Sequence, residues 1–201
     1  MKNNGITIIE LLVVVAITAA IALVAISNFP DIQLQFALKR TAYKFAQDLK
    51  RAQNMAWSGI PYANVSKMPP NPSYGVYVDT ANLGNKKYII YSDSSPADYK
   101  YLWGGIDDIV ETIDFSSLEK GIIIKGVEID SIPPIDSVPC VDPCEIGVSV
   151  NFSFDKINTT LTSHEISLPV PSKLKFTFAI ESDQSKTRTV SANNYGLIEM
   201  Q

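Results

Sequence analysis

The chain has 201 residues, 46% hydrophobic and 9% aromatic, a composition that excludes disorder throughout. Its formal net charge of −4 is uneven: residues 31–57 hold five Lys/Arg against two Asp (net +3), and residues 58–201 hold eleven against eighteen Asp/Glu (net −7). An acidic body repels phosphate on average, which counts against nonspecific nucleic-acid binding through it.

The chain opens on a polar leader, Met1-Lys2-Asn3-Asn4-Gly5, and from Ile6 to Ile26 its only ionisable side chain is Glu10. As a helix that run is about 31 Å long, the thickness of one bilayer core, so it reads as a membrane helix. Two details separate it from a generic anchor. A secretory signal has a longer basic region and a small-residue cleavage site after its apolar run. Here Gly5 stands before the run, so a cut after Gly5 removes only the leader and keeps the helix. The second detail is Glu10. A carboxylate near a membrane helix costs a few kcal/mol unless it is paired or close to the interface, which makes it a functional candidate.

Asn28-Phe29-Pro30-Asp31 interrupts the apolar run. Pro30 is expected either to kink the helix or to open a new segment as its first-turn proline, with Asp31 complementing the dipole. Beyond it Leu34, Leu38, Ala42, Phe45, Leu49, Ala52 and Ala56 recur at steps of three and four, one apolar stripe on a helix. Lys39, Arg40, Lys44, Lys50 and Arg51 occupy other faces, and Gly59 and Pro61 end the pattern near Trp57. A basic amphipathic helix fits a membrane surface, a nucleic acid or the chain's own sheet. The last is the reading adopted, with the cations solvated or facing acidic neighbours.

Past residue 60 the period changes to two. The expected strands are Tyr74–Asp79, Lys87–Tyr91, Ile109–Ile113, Gly121–Ile129, Gly147–Phe154, His164–Leu168, Lys173–Ile180, Arg188–Ala192 and Gly196–Met200. Asn193-Asn194-Tyr195-Gly196 supplies the turn of a closing hairpin. Pro69-Pro70-Asn71-Pro72 is a connector, and residues 131–144 form a proline-rich loop suited to display. That loop contains Cys140 and Cys144. A disulfide-closed loop is the preferred reading if the head lies outside the cytoplasm. Two free thiols are the alternative, and a metal would need ligands that the single histidine, His164, does not supply.

Asp107, Asp108, Glu111 and Asp114 follow Asp93 and Asp98. Calcium takes six to eight oxygens, but Asp93 to Asp98 lacks the acidic alternation and glycine of an EF-hand loop. A solvated acidic edge is therefore adopted, with no cofactor expected. Lys173, Lys175, Lys186 and Arg188 are the one candidate basic patch for DNA, set against an acidic head. No nucleophile elbow, phosphate-cradling glycine loop or His-Glu-x-x-His run is present, so no enzyme is expected.

Gly5-Ile6-Thr7-Ile8-Ile9-Glu10-Leu11-Leu12-Val13-Val14-Val15-Ala16-Ile17 resembles the type IV prepilin motif. The resemblance implies that prepilin peptidase cuts after Gly5 and methylates Ile6, where the family usually has phenylalanine. It also implies that Glu10 pairs with a neighbouring subunit's N-terminal amine during assembly. The stretch Ala37 to Ala56 is loosely similar to the corresponding helix of GspH/FimT-type minor pilins and pseudopilins. The expected fold is α+β: a leader (1–5), a membrane and assembly helix (6–30), an amphipathic stem (31–57) and an extracytoplasmic, mostly antiparallel β head (58–201). The expected partners are other pilin or pseudopilin subunits, the peptidase and the inner-membrane assembly machinery, with the chain anchored in the cytoplasmic membrane until it enters a pilus or pseudopilus. The alternative function is a membrane-tethered head that binds a ligand, DNA and calcium among the candidates.

Overall fold

Thr7 begins the first element. Its hydroxyl oxygen accepts a hydrogen bond from the Glu10 N–H at 3.3 Å and its carbonyl accepts one from the Leu11 N–H at 3.2 Å, the geometry of an N-cap. Helix α1 (Ile8–Ser58) then runs for 51 residues, about 77 Å. The computed structural model describes residues 7–58, 73–79, 83–93, 108–117, 119, 121–131, 148–152, 157–161, 164–167, 172–193 and 195–201. Pro30 lies inside α1 and neither ends it nor starts a second helix. A proline ring removes one helical hydrogen bond and crowds the preceding turn. Residues 29–33 are all exposed, so no packed neighbour adds to that cost.

The two halves of α1 differ in surroundings. From Thr7 to Val24 every residue is exposed, including Leu11, Leu12, Val13, Val14 and Val15 at more than half of their surface. Within this half the Thr18 hydroxyl donates to the Val14 and Val15 carbonyls, so it makes no demand on its surroundings. In the second half the expected stripe is the buried face. Leu38, Ala42, Phe45, Leu49, Ala52 and Ala56 are each at most 4% exposed, and Leu34 packs at the margin.

That face meets two antiparallel sheets. The first has the order β3-β2-β1-β5-β6-β7, from β1 (Ser73–Val78), β2 (Lys87–Asp93), β3 (Asp108–Asp114), β5 (Val148–Phe152), β6 (Ile157–Leu161) and β7 (His164–Ser167). The second has the order β10-β9-β8-β4, from β4 (Ile122–Ser131), β8 (Ser172–Ile180), β9 (Asp183–Asn193) and β10 (Ile198–Met200). One apolar cluster joins α1 to both. The Phe45 ring lies 4.9 Å from Tyr88 of the first sheet and 4.8 Å and 5.2 Å from Phe176 and Phe178 of the second, within the range of favourable aromatic pairs.

Nine expected strands overlap strands of the structure. β9 starts five residues before the expected Arg188, and β4 takes in Ser131, the first residue of the expected loop. β6 was not expected. β1 is buried along its whole length because both faces are covered. Tyr74, Val76 and Val78 face α1, while Tyr77 joins Ile89 and Tyr91 in a second cluster on the other side. Gly75 lies on that second side, where a Cβ would stand 2.5 Å from the Tyr91 ring. Gly75→Ala should therefore lower stability by about 1–3 kcal/mol, whereas Gly126→Ala, with nothing within 4 Å of its Cβ, should change it by less than about 0.5 kcal/mol. Urea unfolding of the two variants against the parent chain checks both.

Candidate functional site

The processing positions Gly5 and Ile6, with the leader before them, lie outside the described residues. Glu10 is described, exposed, and in the first turn of α1, three residues after the capping threonine. Thr7-x-x-Glu10 is the capping-box spacing, in which a carboxylate on the third helical residue faces the orphan N–H groups of the turn before it. The negative charge also complements the positive end of the helix dipole. The sequence signal for this cap is the Thr-x-x-Glu spacing itself, which lies within the apolar run. What the site presents is one carboxylate at the tip of a bare apolar helix.

The other end of α1 is fixed to the head by polar groups that the apolar stripe did not reveal. Asp48, only 6% exposed, accepts the Tyr88 hydroxyl at 2.5 Å and Lys44 Nζ at 3.2 Å. Gln53 Nε2 donates to the Gly196 carbonyl at 3.1 Å and ties the β9–β10 turn to the helix. Three ion pairs add to this. Arg40 reaches Glu119 through Nε at 2.5 Å and a second nitrogen at 2.8 Å, Arg51 pairs with Glu111, and Lys186 reaches Asp31 at 3.4 Å. The cationic stem thus faces acids of the head, as its charge balance suggested. The hydrogen bond to Glu119, and after it the carboxylate's charge, hold the Arg40 guanidinium above its ordinary range. These pairs are largely exposed and screened, so they set orientation more than stability.

The head's candidate sites separate on inspection. Asp98, Asp107, Cys140 and Cys144 lie outside the described residues, so the disulfide reading and part of the acidic cluster do too. Asp93 is buried and accepts the Ser73 hydroxyl at 3.2 Å, and Glu111 is taken by Arg51. The Ser116 hydroxyl, then the Ser116 N–H, and Lys87 after these, hold the Asp114 carboxyl below its usual range. Among the described residues no three His, Cys, Asp or Glu side chains are placed to hold a metal ion. The four cations of the basic patch do not form one. Lys173 and Lys175 sit opposite Asn193 and Ser191 in the ladder, on the face away from Phe176 and Phe178. Arg188 stands opposite Phe178, on the other face, and Lys186 turns to Asp31 and Asp183. Lys173 is paired with Glu199 at 2.6 Å. A shallow hollow of about 430 Å³ runs along the end of α1, lined by Gln47, Lys50, Arg51, Asn54, Met55 and Ser58, and no nucleophile–base pair lines it. His164 opens β7, as expected of a strand residue.

The chain is thus an α+β protein with two antiparallel sheets and one N-terminal helix that is long and apolar enough to cross a membrane. No known family model, curated protein or solved structure matches it.

Tyr88 gives the anchor a pH signature. Burial first, and then the charge of Asp48, hold its hydroxyl protonated well above the usual tyrosine value of 10.0. A pKa raised on folding contributes stability that is fully present below about pH 10 and is lost as pH climbs toward the raised native value. Tyr88→Phe should cost about 1–3 kcal/mol at neutral pH, because buried Asp48 loses a donor. It should also flatten the fall in stability above pH 10. Urea midpoints of both chains at pH 7 and pH 11 measure the two effects.

Proposed function

We propose that this chain is a pilin-like assembly subunit, a minor component of a type IV pilus or a type II secretion pseudopilus. Prepilin peptidase removes Met1–Gly5 and methylates Ile6. The apolar half of α1 then holds the subunit in the cytoplasmic membrane with the β head outside. During assembly Glu10 pairs with the N-terminal amine of a neighbouring subunit. An ATPase-driven machine of the inner membrane draws the subunit into a filament built around such helices.

The observation that carries this reading is the division of α1. One half buries its apolar stripe in the head, and the other, continuous with it, is apolar on all sides and exposed from Thr7 to Val24. Such a half needs lipid or other helices around it. The order of Gly5, the apolar run and Glu10 adds processing and assembly to mere anchoring. In lipid, a carboxylate and an ammonium each lack water and each satisfies the other.

Mass spectrometry of the membrane-bound chain from cells with an active prepilin peptidase should give a protein that begins at methylated Ile6. An intact Met1 terminus in those cells would remove the processing step. Glu10→Ala should leave insertion and the melting of the head unchanged while sharply reducing recovery in sheared filaments. Normal recovery would take Glu10 out of the mechanism.

A further inference from the structure

Resting on the reading of α1 as membrane-spanning, we propose that the stem's outward face lies against the bilayer. On that face Phe29, Ile32 and Phe36 meet the acyl region, and Lys39 and Tyr43 meet anionic headgroups.

The face is defined by spacing. Phe29, Ile32, Phe36 and Tyr43 follow at steps of three, four and seven, on the side of α1 opposite Leu38 and Phe45. They are 58%, 46%, 56% and 58% exposed, so the head does not cover them. Further up the same face come Gln47, Lys50 and Asn54, all exposed and polar. Along this line the chemistry changes from apolar, through a tyrosine and a lysine, to fully polar. A bilayer surface presents the same sequence of layers, with aromatic rings and snorkelling cations at its boundary.

Charge favours lipid as the occupant. Arg40, Lys44 and Arg51 are each paired within the chain, to Glu119, Asp48 and Glu111. Lys39 is exposed and has no carboxylate partner among the described residues. The acids of the stem, Asp31 and Asp48, turn instead toward the head, to Lys186 and Tyr88. Among the described residues the outward face therefore offers two cations without a carboxylate partner, Lys39 beside the apolar stripe and Lys50 further up, and no acid, which suits phosphate-bearing lipid. A second copy of α1 would bring Lys39 no acid from its apolar half except Glu10.

The lengths agree with an oblique helix. From Leu11 to Phe36 the face is about 39 Å long against a hydrocarbon core of about 30 Å, which calls for a tilt of about 40°, at the upper end of the usual range. With the outward face turned down, the head side of the helix is lifted by several Å. That lift brings Asp31 about level with Phe36, at the boundary where its partner Lys186 lies on the head side.

The test uses the full chain in vesicles containing phosphatidylglycerol with brominated acyl chains, at low protein density. Trp57→Phe and Trp103→Phe remove the native tryptophans, and single reporters are placed by Leu12→Trp, Phe36→Trp, Tyr43→Trp and Asn54→Trp. The bromines should quench Leu12→Trp and Phe36→Trp strongly and Tyr43→Trp in part, and leave Asn54→Trp bright. Adding Lys39→Gln, or replacing phosphatidylglycerol by phosphatidylcholine, should reduce the quenching of Tyr43→Trp. Quenching at Leu12→Trp alone would overturn this proposal and leave the spanning helix intact. No quenching at Leu12→Trp would overturn the spanning helix as well. Phe36→Trp and Tyr43→Trp shielded from aqueous iodide yet untouched by bromine would give the face to a second protein copy and overturn the proposal. Tyr43→Trp quenching indifferent to Lys39 and to lipid charge would overturn the headgroup contact.

Discussion

The burial of one helical face between two sheets is the constraint on which the rest of the molecule depends. Phe45 bridges the two sheets, touching Tyr88 on one side and Phe176 and Phe178 on the other. Truncating such a ring typically costs about 3–5 kcal/mol, a large share of the stability of any domain. The helix thus supplies one wall of the head's core, with its outward face left exposed. The same helix continues out of the core as an exposed apolar segment from Thr7 to Val24, so one element serves both as a wall of the core and as the apolar N-terminal extension.

Polar groups then fix what apolar burial leaves loose. A stripe of Leu, Ala and Phe allows a helix to slide or rotate by small amounts at little cost. Asp48 against Tyr88 and Gln53 against the Gly196 carbonyl are directional and part-buried or buried, so they set one register. The surface pairs Arg40–Glu119 and Arg51–Glu111 act at a coarser level, matching a cationic stem to an acidic body.

Much of this was legible in the sequence. The buried stripe from Leu34 to Ala56 followed from its three-four spacing, and Leu174, Phe176, Phe178 and Ile180 announced β8 by alternation. The turn at Asn193 to Gly196 was also readable, and there Gly196 adopts a φ of 83° while the Asn193 side chain accepts two backbone N–H groups. Ile157-Asn158-Thr159-Thr160-Leu161 escaped because its interior is polar, and only pairing with β5 and β7 makes it a strand. Arg188 was too late a start for β9, because Asp183 to Thr187 is polar and is held by the β8 ladder and by an aspartate–serine turn. The division into two sheets was invisible, since period two reports a face and not which sheet owns it. Pro30 starts no new segment, because one lost hydrogen bond at an exposed position leaves the turns on either side helical. At the N-terminus the Thr7–Glu10 capping pattern is written in the sequence, but it sits inside an apolar run that reads first as a membrane helix.

The unbroken passage of α1 through Pro30 has a mechanical consequence. A pull along the axis at the apolar end is passed to the head through one continuous helix. There it acts on Leu34 to Ala56 together, as shear between the helix and two sheets at once. Shear loads many contacts in parallel, whereas peeling breaks them one by one. The core that folds this head is therefore also oriented to bear tension along the line in which the helix leaves it.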